Sequence, residues 1–186
     1  MGRKSPIMKK MFFAAIPVLA IAFLALKPVS DPIAIGSSIP NPTNKMKDIG
    51  GKEVSFNDAM KKNGLLVMFS CNTCPIVHKY ESRTVEICKL AQENDIGVIL
   101  LNPNEAYRDK GDSYIEMQEY AQRLGYNWYY VVDNNHAMAD AFGATRTPEI
   151  FLFDNKGKLA YHGAIDDNAN NAAGAASYMK PAIANL

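Results

Sequence analysis

The chain has 186 residues, enough for one domain with a full hydrophobic core and a leader. Its formal charge of +1 hides an asymmetry: Arg3, Lys4, Lys9 and Lys10 open the sequence, leaving 16 of the 20 Lys and Arg against all 19 Asp and Glu, a net −3. A mildly acidic body offers no basic face for a phosphate backbone, which excludes nucleic acid as a partner.

The four cations precede an apolar run, Met11 to Leu26, the layout of a secretory signal, with Ala20 and Ala22 as small residues for cleavage. As a helix the run would measure roughly 24 Å, short of the roughly 30 Å hydrocarbon core of a bilayer, and Pro17 interrupts it. Residues 1–26 are therefore expected to be a signal peptide, with an uncleaved anchor as the alternative and the sole membrane contact. Export places the protein in an oxidising compartment, where a thiol pair needs a dedicated redox partner.

From Lys27 to Asn44 four prolines and the Gly36-Ser37-Ser38 run read as an extended linker laid onto the body, so the domain proper is expected over 45–186. Gly50-Gly51 between short strand-like pieces predicts a small hairpin, and Ser55 can cap a short helix through Lys62 that Asn63-Gly64 stops. Leu65 to Phe69 reads as a buried strand. It delivers Cys71-Asn72-Thr73-Cys74-Pro75 into the start of a helix expected from about Thr73 to Gln92.

Two thiols separated by two residues at a helix start can close a disulfide with little backbone movement, and the helix dipole favours a thiolate there. Pairs of this spacing also bind zinc, but a structural site needs four ligands and no second pair is present; Cys88, His78, His136 and His162 are scattered. On the helix Val77, Tyr80, Thr84, Cys88 and Ala91 recur at steps of three and four, so Cys88 is expected in the core. Lys79 and His78 read as solvated surface groups.

Beyond it, Gly97 to Leu101 is a second buried strand ending in Asn102-Pro103-Asn104, followed by a polar stretch through Asp112 and a helix from Ser113 to Leu124. Trp128 to Asp133 is a third strand, and a short helix runs from Asn135 to Phe142 before Gly143. Glu149–Asp154 and Leu159–Gly163 form a hairpin. The Ala-rich segment from Asn168 is expected to be helical until Pro181. Strands alternating with helices and closing on a hairpin indicate an α/β fold, a mixed central sheet flanked by helices.

This order, with Cys-x-x-Cys after the first buried strand and Thr147-Pro148 ahead of the last hairpin, resembles the thioredoxin fold over roughly Ile39 to Leu186. More narrowly, Cys71–Pro75, Asn102–Asn104, Gly143–Pro148 and Gly163–Asn168 resemble the exported bacterial redoxins of the AhpC/TSA and thioredoxin-like group. The resemblance implies a periplasmic or cell-envelope location, with Pro148 cis beside the cysteines and Thr147 presenting its backbone to an extended substrate. A plainer alternative is that Thr147-Pro148 merely starts an edge strand. Two departures stand out: only Ser70 separates the strand from Cys71, and Met68 occupies the place of thioredoxin's buried carboxylate, so the buried thiol lacks its usual base.

The resulting expectation is dithiol–disulfide exchange with protein or small-molecule disulfides and a redox partner thiol protein, Cys71 attacking and Cys74 resolving. No cofactor or metal is called for. Two rivals remain: a thiol peroxidase, with Cys74-Pro75 as the reactive position and Arg146 steadying the peroxide, and a copper-handling protein drawing a third ligand from His136 or His162.

Overall fold

A computed structural model describes residues 1–2 and 31–186, so the expected signal or anchor run falls outside the described residues. No helix among those described is long and apolar enough to cross a membrane. The body is a five-stranded sheet. Its strands are β3 (Leu65–Phe69), β4 (Gly97–Asn102), β5 (Tyr129–Val132), β6 (Glu149–Phe153) and β7 (Leu159–Gly163), in the order β5-β4-β3-β6-β7. β3, β4 and β5 run parallel, and β6 and β7 are antiparallel, as expected of a mixed sheet.

Side chains alternate across a strand, so the unbroken apolar run of β3 serves both faces at once. Leu66 and Met68 face a core formed with α2 (Pro75–Glu93), α3 (Tyr114–Leu124) and α5 (Met179–Ala184). Leu65, Val67 and Phe69 face a second core with α1 (Phe56–Ala59) and α4 (Ala137–Phe142). There Phe69 and Phe151 each meet Phe142 edge-on, at centroid distances of 5.3 and 5.1 Å. Those rings fix the end of β3, from which the cysteine loop departs.

β1 (Met46–Lys47) and β2 (Glu53–Val54) form the expected small hairpin, and Ser55 caps α1 reciprocally with Asp58. The helix stops at Ala59 rather than Lys62, because the chain turns back through Gly64 to enter β3. Gly64 has φ +133°, and a Cβ there would lie 2.1 Å from the Phe153 carbonyl oxygen. The stretch read as a linker packs onto the body over its described part: Ser37 and Gly36 exchange hydrogen bonds with Leu159, and Ile39 is buried.

The C-terminal segment departs most from expectation. Residues 168–178 are irregular save for a 3-10 turn at Ala172–Gly174, and Pro181 lies inside α5 rather than ending a helix. The side chains of Asp166, Asn168 and Asn171 accept from nearby backbone N–H groups, which competes with helix formation. Pro181 stands in the first turn of α5, where a missing N–H leaves no hydrogen bond unmade. What anchors the segment is a buried ion pair: Arg83 of α2 donates to Asp166 and to the carbonyls of Asn168 and Ala169.

Breaking a buried pair by removing one partner leaves a stranded charge, at a cost of ~3–5 kcal/mol. Asp166→Ala should therefore lower the stability of the folded chain by about 3 kcal/mol in urea denaturation. Glu86→Ala, which removes the exposed pair with Lys180, should change it by less than ~1 kcal/mol.

Candidate active site

The ladder of β3 continues one residue past the strand, where the Ser70 N–H donates to the Leu101 carbonyl at 2.8 Å, and Cys71 follows at once. Helix α2 begins at Pro75 rather than Thr73, with Cys74 as its N-cap in an extended conformation (φ −75°, ψ 121°). Both cysteines therefore precede the helix. Cys88 lies fully buried in the core, where burial pushes its thiol well up.

The loop between the cysteines is held by one carboxylate. Asp112, fully buried, accepts from the Asn72 N–H at 2.6 Å, the Thr73 hydroxyl at 2.6 Å, and the side-chain amides of Asn102 and Asn104, both at 2.7 Å. All four donors are neutral. Arg108 binds the backbone carbonyls of Asp112 and Asn102, fixing the turn that presents the acid. Gly111 lets the two loops close: its φ is +117°, and a Cβ would meet the Thr73 methyl at 2.5 Å. Asn72 donates to the Gly111 carbonyl and accepts from the Tyr130 hydroxyl, whose burial keeps it protonated.

A second buried carboxylate braces the other side. Glu149 stands opposite Phe69 in the β3–β6 register, which brings the residues before it alongside the cysteines. One of its oxygens accepts from the N–H groups of Thr145 and Arg146, at 2.8 and 3.1 Å. The other meets His162 Nε2 at 2.7 Å, with the imidazole stacked on Phe151. The Thr147-Pro148 bond is cis. β6 lies between β3 and β7, so Pro148 does not start an edge strand.

Thr147 touches both sulfurs: its Oγ1 is 3.3 Å from Cys71 Sγ, and its carbonyl is 3.6 Å from Cys74 Sγ. The two thiols differ in setting. Cys71 is 4% exposed, and burial, aided by the Asp112 charge and the Cys74 sulfur against a favourable Thr147 contact, pushes it up to about 11. Cys74 is half-buried. Burial raises it, but the N–H groups of Val77 and Ile76, with Thr147 and Cys71, outweigh that and lower it below the ordinary thiol value.

Both cysteines line a cleft of about 680 Å³. Its walls are the loop after β4, the start of α4, and the segment leading to cis-Pro148, so Arg146 and His136 open onto the same space. His136 has a left-handed backbone (φ 54°), and its Nδ1 lies against the Pro103 carbonyl. A carbonyl only accepts, so Nδ1 donates to it. His162 is tied to Glu149 and does not line the cleft. His78 pairs with Glu81 and Lys79 with Asn170. Among the described residues no group of three or more His, Cys, Asp or Glu is placed to hold a metal ion.

The sequence model of the AhpC/TSA family matches residues 35–162. The chain belongs to the AhpC/TSA family. The thiol-disulfide oxidoreductase ResA of Geobacillus thermodenitrificans is 23% identical over 127 residues, 68% of this chain and 67% of the relative. An uncharacterized conserved protein from Geobacillus kaustophilus superposes with a TM-score of 0.69 at 28% identity, over 75% of this chain and 74% of its own. A thioredoxin-like protein solved in its oxidised form superposes with a TM-score of 0.66 at 19% identity, covering 83% of this chain and 99% of its own. The fold is thioredoxin-like.

Cys71, Cys74 and Thr147 thus meet in one place, with cis-Pro148 next in the chain, while Asp112 and Glu149 escaped the sequence reading. Asp112 lies 40 residues from Asn72, and no local pattern links them. Asp112→Asn turns an acceptor-only group toward neutral donors with an NH₂ of its own, so buried bonds are lost and donors oppose each other. Stability should fall by roughly 3 kcal/mol in urea denaturation, whereas Asp109→Asn on the exposed turn should stay within about 0.5 kcal/mol.

Proposed function

We propose that this redoxin is a thiol–disulfide oxidoreductase of the cell envelope, cycling Cys71 and Cys74 between dithiol and disulfide against protein or small-molecule disulfides, with a thiol protein as redox partner. The observation that carries the reading is the convergence of both sulfurs on Thr147, at the mouth of a cleft large enough to admit a disulfide and its flanking groups. Thr147 and cis-Pro148 serve as the docking edge: an extended segment laid along this backbone would bring its disulfide to the cysteines without its sequence being read. Likeness to ResA, named as a thiol-disulfide oxidoreductase, supports the same chemistry. The basic, apolar N-terminal run supports export.

A thiol peroxidase reading has one observation in its favour, the placement of Cys74 as N-cap directly before Pro75 with Arg146 on the same cleft. The two readings separate in one experiment. Reduced protein should reduce insulin or a small aromatic disulfide catalytically with dithiothreitol as electron source. Cys71→Ser and Cys74→Ser should each lower that turnover at least ~100-fold, because exchange needs both thiols. Hydrogen peroxide consumption that survives Cys71→Ser and is lost in Cys74→Ser would transfer the assignment to the peroxidase.

A further inference from the structure

We propose that Cys74, not Cys71, attacks the incoming disulfide, and that Cys71 is the withheld thiol that resolves the mixed disulfide. The inference rests on the exchange reading above and reverses the order that the sequence suggests.

Three features of the site lead to it. The first is access: an attacking sulfur must be reached in line by a disulfide, and Cys71 is 4% exposed where Cys74 is half-buried on the cleft. The second is the helix. Cys74 is the N-cap of the 19-residue α2, and Pro75 at the next position has no N–H, so the first donors at the helix end belong to Ile76 and Val77. Both stabilise negative charge on the Cys74 sulfur. Cys71 lies four positions before the first helical residue. The third is charge, since Asp112 holds the loop beside Cys71 by neutral donors alone, and its negative charge opposes a second one there.

In the first step the Cys74 thiolate attacks one sulfur of a substrate disulfide. The substrate S–S bond breaks, a Cys74–substrate disulfide forms, and the other substrate sulfur leaves as a thiolate that takes a proton from solvent. In the second step Cys71 loses its proton to solvent and attacks Cys74 Sγ. The mixed disulfide breaks, the second substrate sulfur leaves and is protonated, and Cys71–Cys74 becomes the disulfide: the substrate gains two electrons and the pair loses them. Capture of Cys74 in the mixed disulfide also removes its charge, one of the influences that raise Cys71, so the resolving thiol is eased at the step that needs it.

The order is tested with Cys71→Ser and Cys74→Ser in the full chain, each reacted with a twofold excess of dithiobis(nitrobenzoate) at pH 7 and followed by released thiolate and intact mass. At pH 7 a thiol near 11 holds at least ~100-fold less thiolate than one below 9. Its greater intrinsic nucleophilicity recovers about half of that on a logarithmic scale, leaving roughly tenfold before access is counted. Cys71→Ser should therefore form its mixed disulfide at least ~10-fold faster than Cys74→Ser, with a rate profile that levels off below pH 9. Equal rates, or a faster Cys74→Ser, overturn the order and leave the exchange reading standing. If neither variant forms an adduct, the exchange reading falls and the order with it. Limiting iodoacetamide on the reduced, unsubstituted protein puts the same question without a variant: peptide mass mapping should find the label on Cys74, and label concentrated on Cys71 overturns the proposal.

Discussion

The carboxylate of Asp112 decides where the two sulfurs stand. It gathers the backbone of Asn72, the hydroxyl of Thr73 and the amides of Asn102 and Asn104 around one buried charge. In a medium of low dielectric each of these bonds is strong and each would be costly to leave unmade, so the network behaves as a unit. It ties the loop between the cysteines to the end of β4 and to the turn ahead of α3, reinforced by the bonds of Asn72 to the Gly111 carbonyl and of Asn104 to the Thr73 hydroxyl. Without that anchor Asn72 would keep only its side-chain bonds to the Gly111 carbonyl and the Tyr130 hydroxyl, and Thr73 only its bond from Asn104.

Glu149 does the equivalent work from the opposite direction, with a different set of partners. It gathers the N–H groups of Thr145 and Arg146 and pairs with His162, so the segment reaching cis-Pro148 is held from behind by β6 and β7. The β3–β6 register then does the rest, because Phe69 and Glu149 face each other at the strand ends from which both loops leave. Thr147 lies between the sulfurs as a consequence of sheet pairing and of two acids, one on each flank.

The strands and most helices were legible because their signals are local. An apolar run of five residues at Leu65–Phe69, Ser113 before an amphipathic stretch, and glycines closing α3 and α4 each announce themselves within a few positions. Asn168 to Tyr178 was misjudged because alanine content suggests a helix while Asp and Asn side chains satisfy the backbone in another way. The buried acids were illegible for a different reason. Asp112 comes from the β4–α3 connection, and only the folded chain brings it to Asn72. An isolated Asp in a polar stretch carries no mark of burial.

The start of α2 shows how much a single dipeptide can settle. The residue before a proline is disfavoured in the α region, because the ring clashes with its backbone N–H and Cβ. Cys74 therefore resists the helical conformation that an α2 beginning at Thr73 would require, and the helix must open at Pro75, where a fixed φ and a missing N–H carry no penalty. That one constraint moves Cys74 from inside the first turn to the cap and leaves Cys71 a full loop away from the helix end. Had residue 75 been an ordinary helix former, the helix could have extended toward Asn72 and carried its exposed N–H groups closer to Cys71. The electrostatic asymmetry between the two thiols follows from the proline as much as from the cysteines.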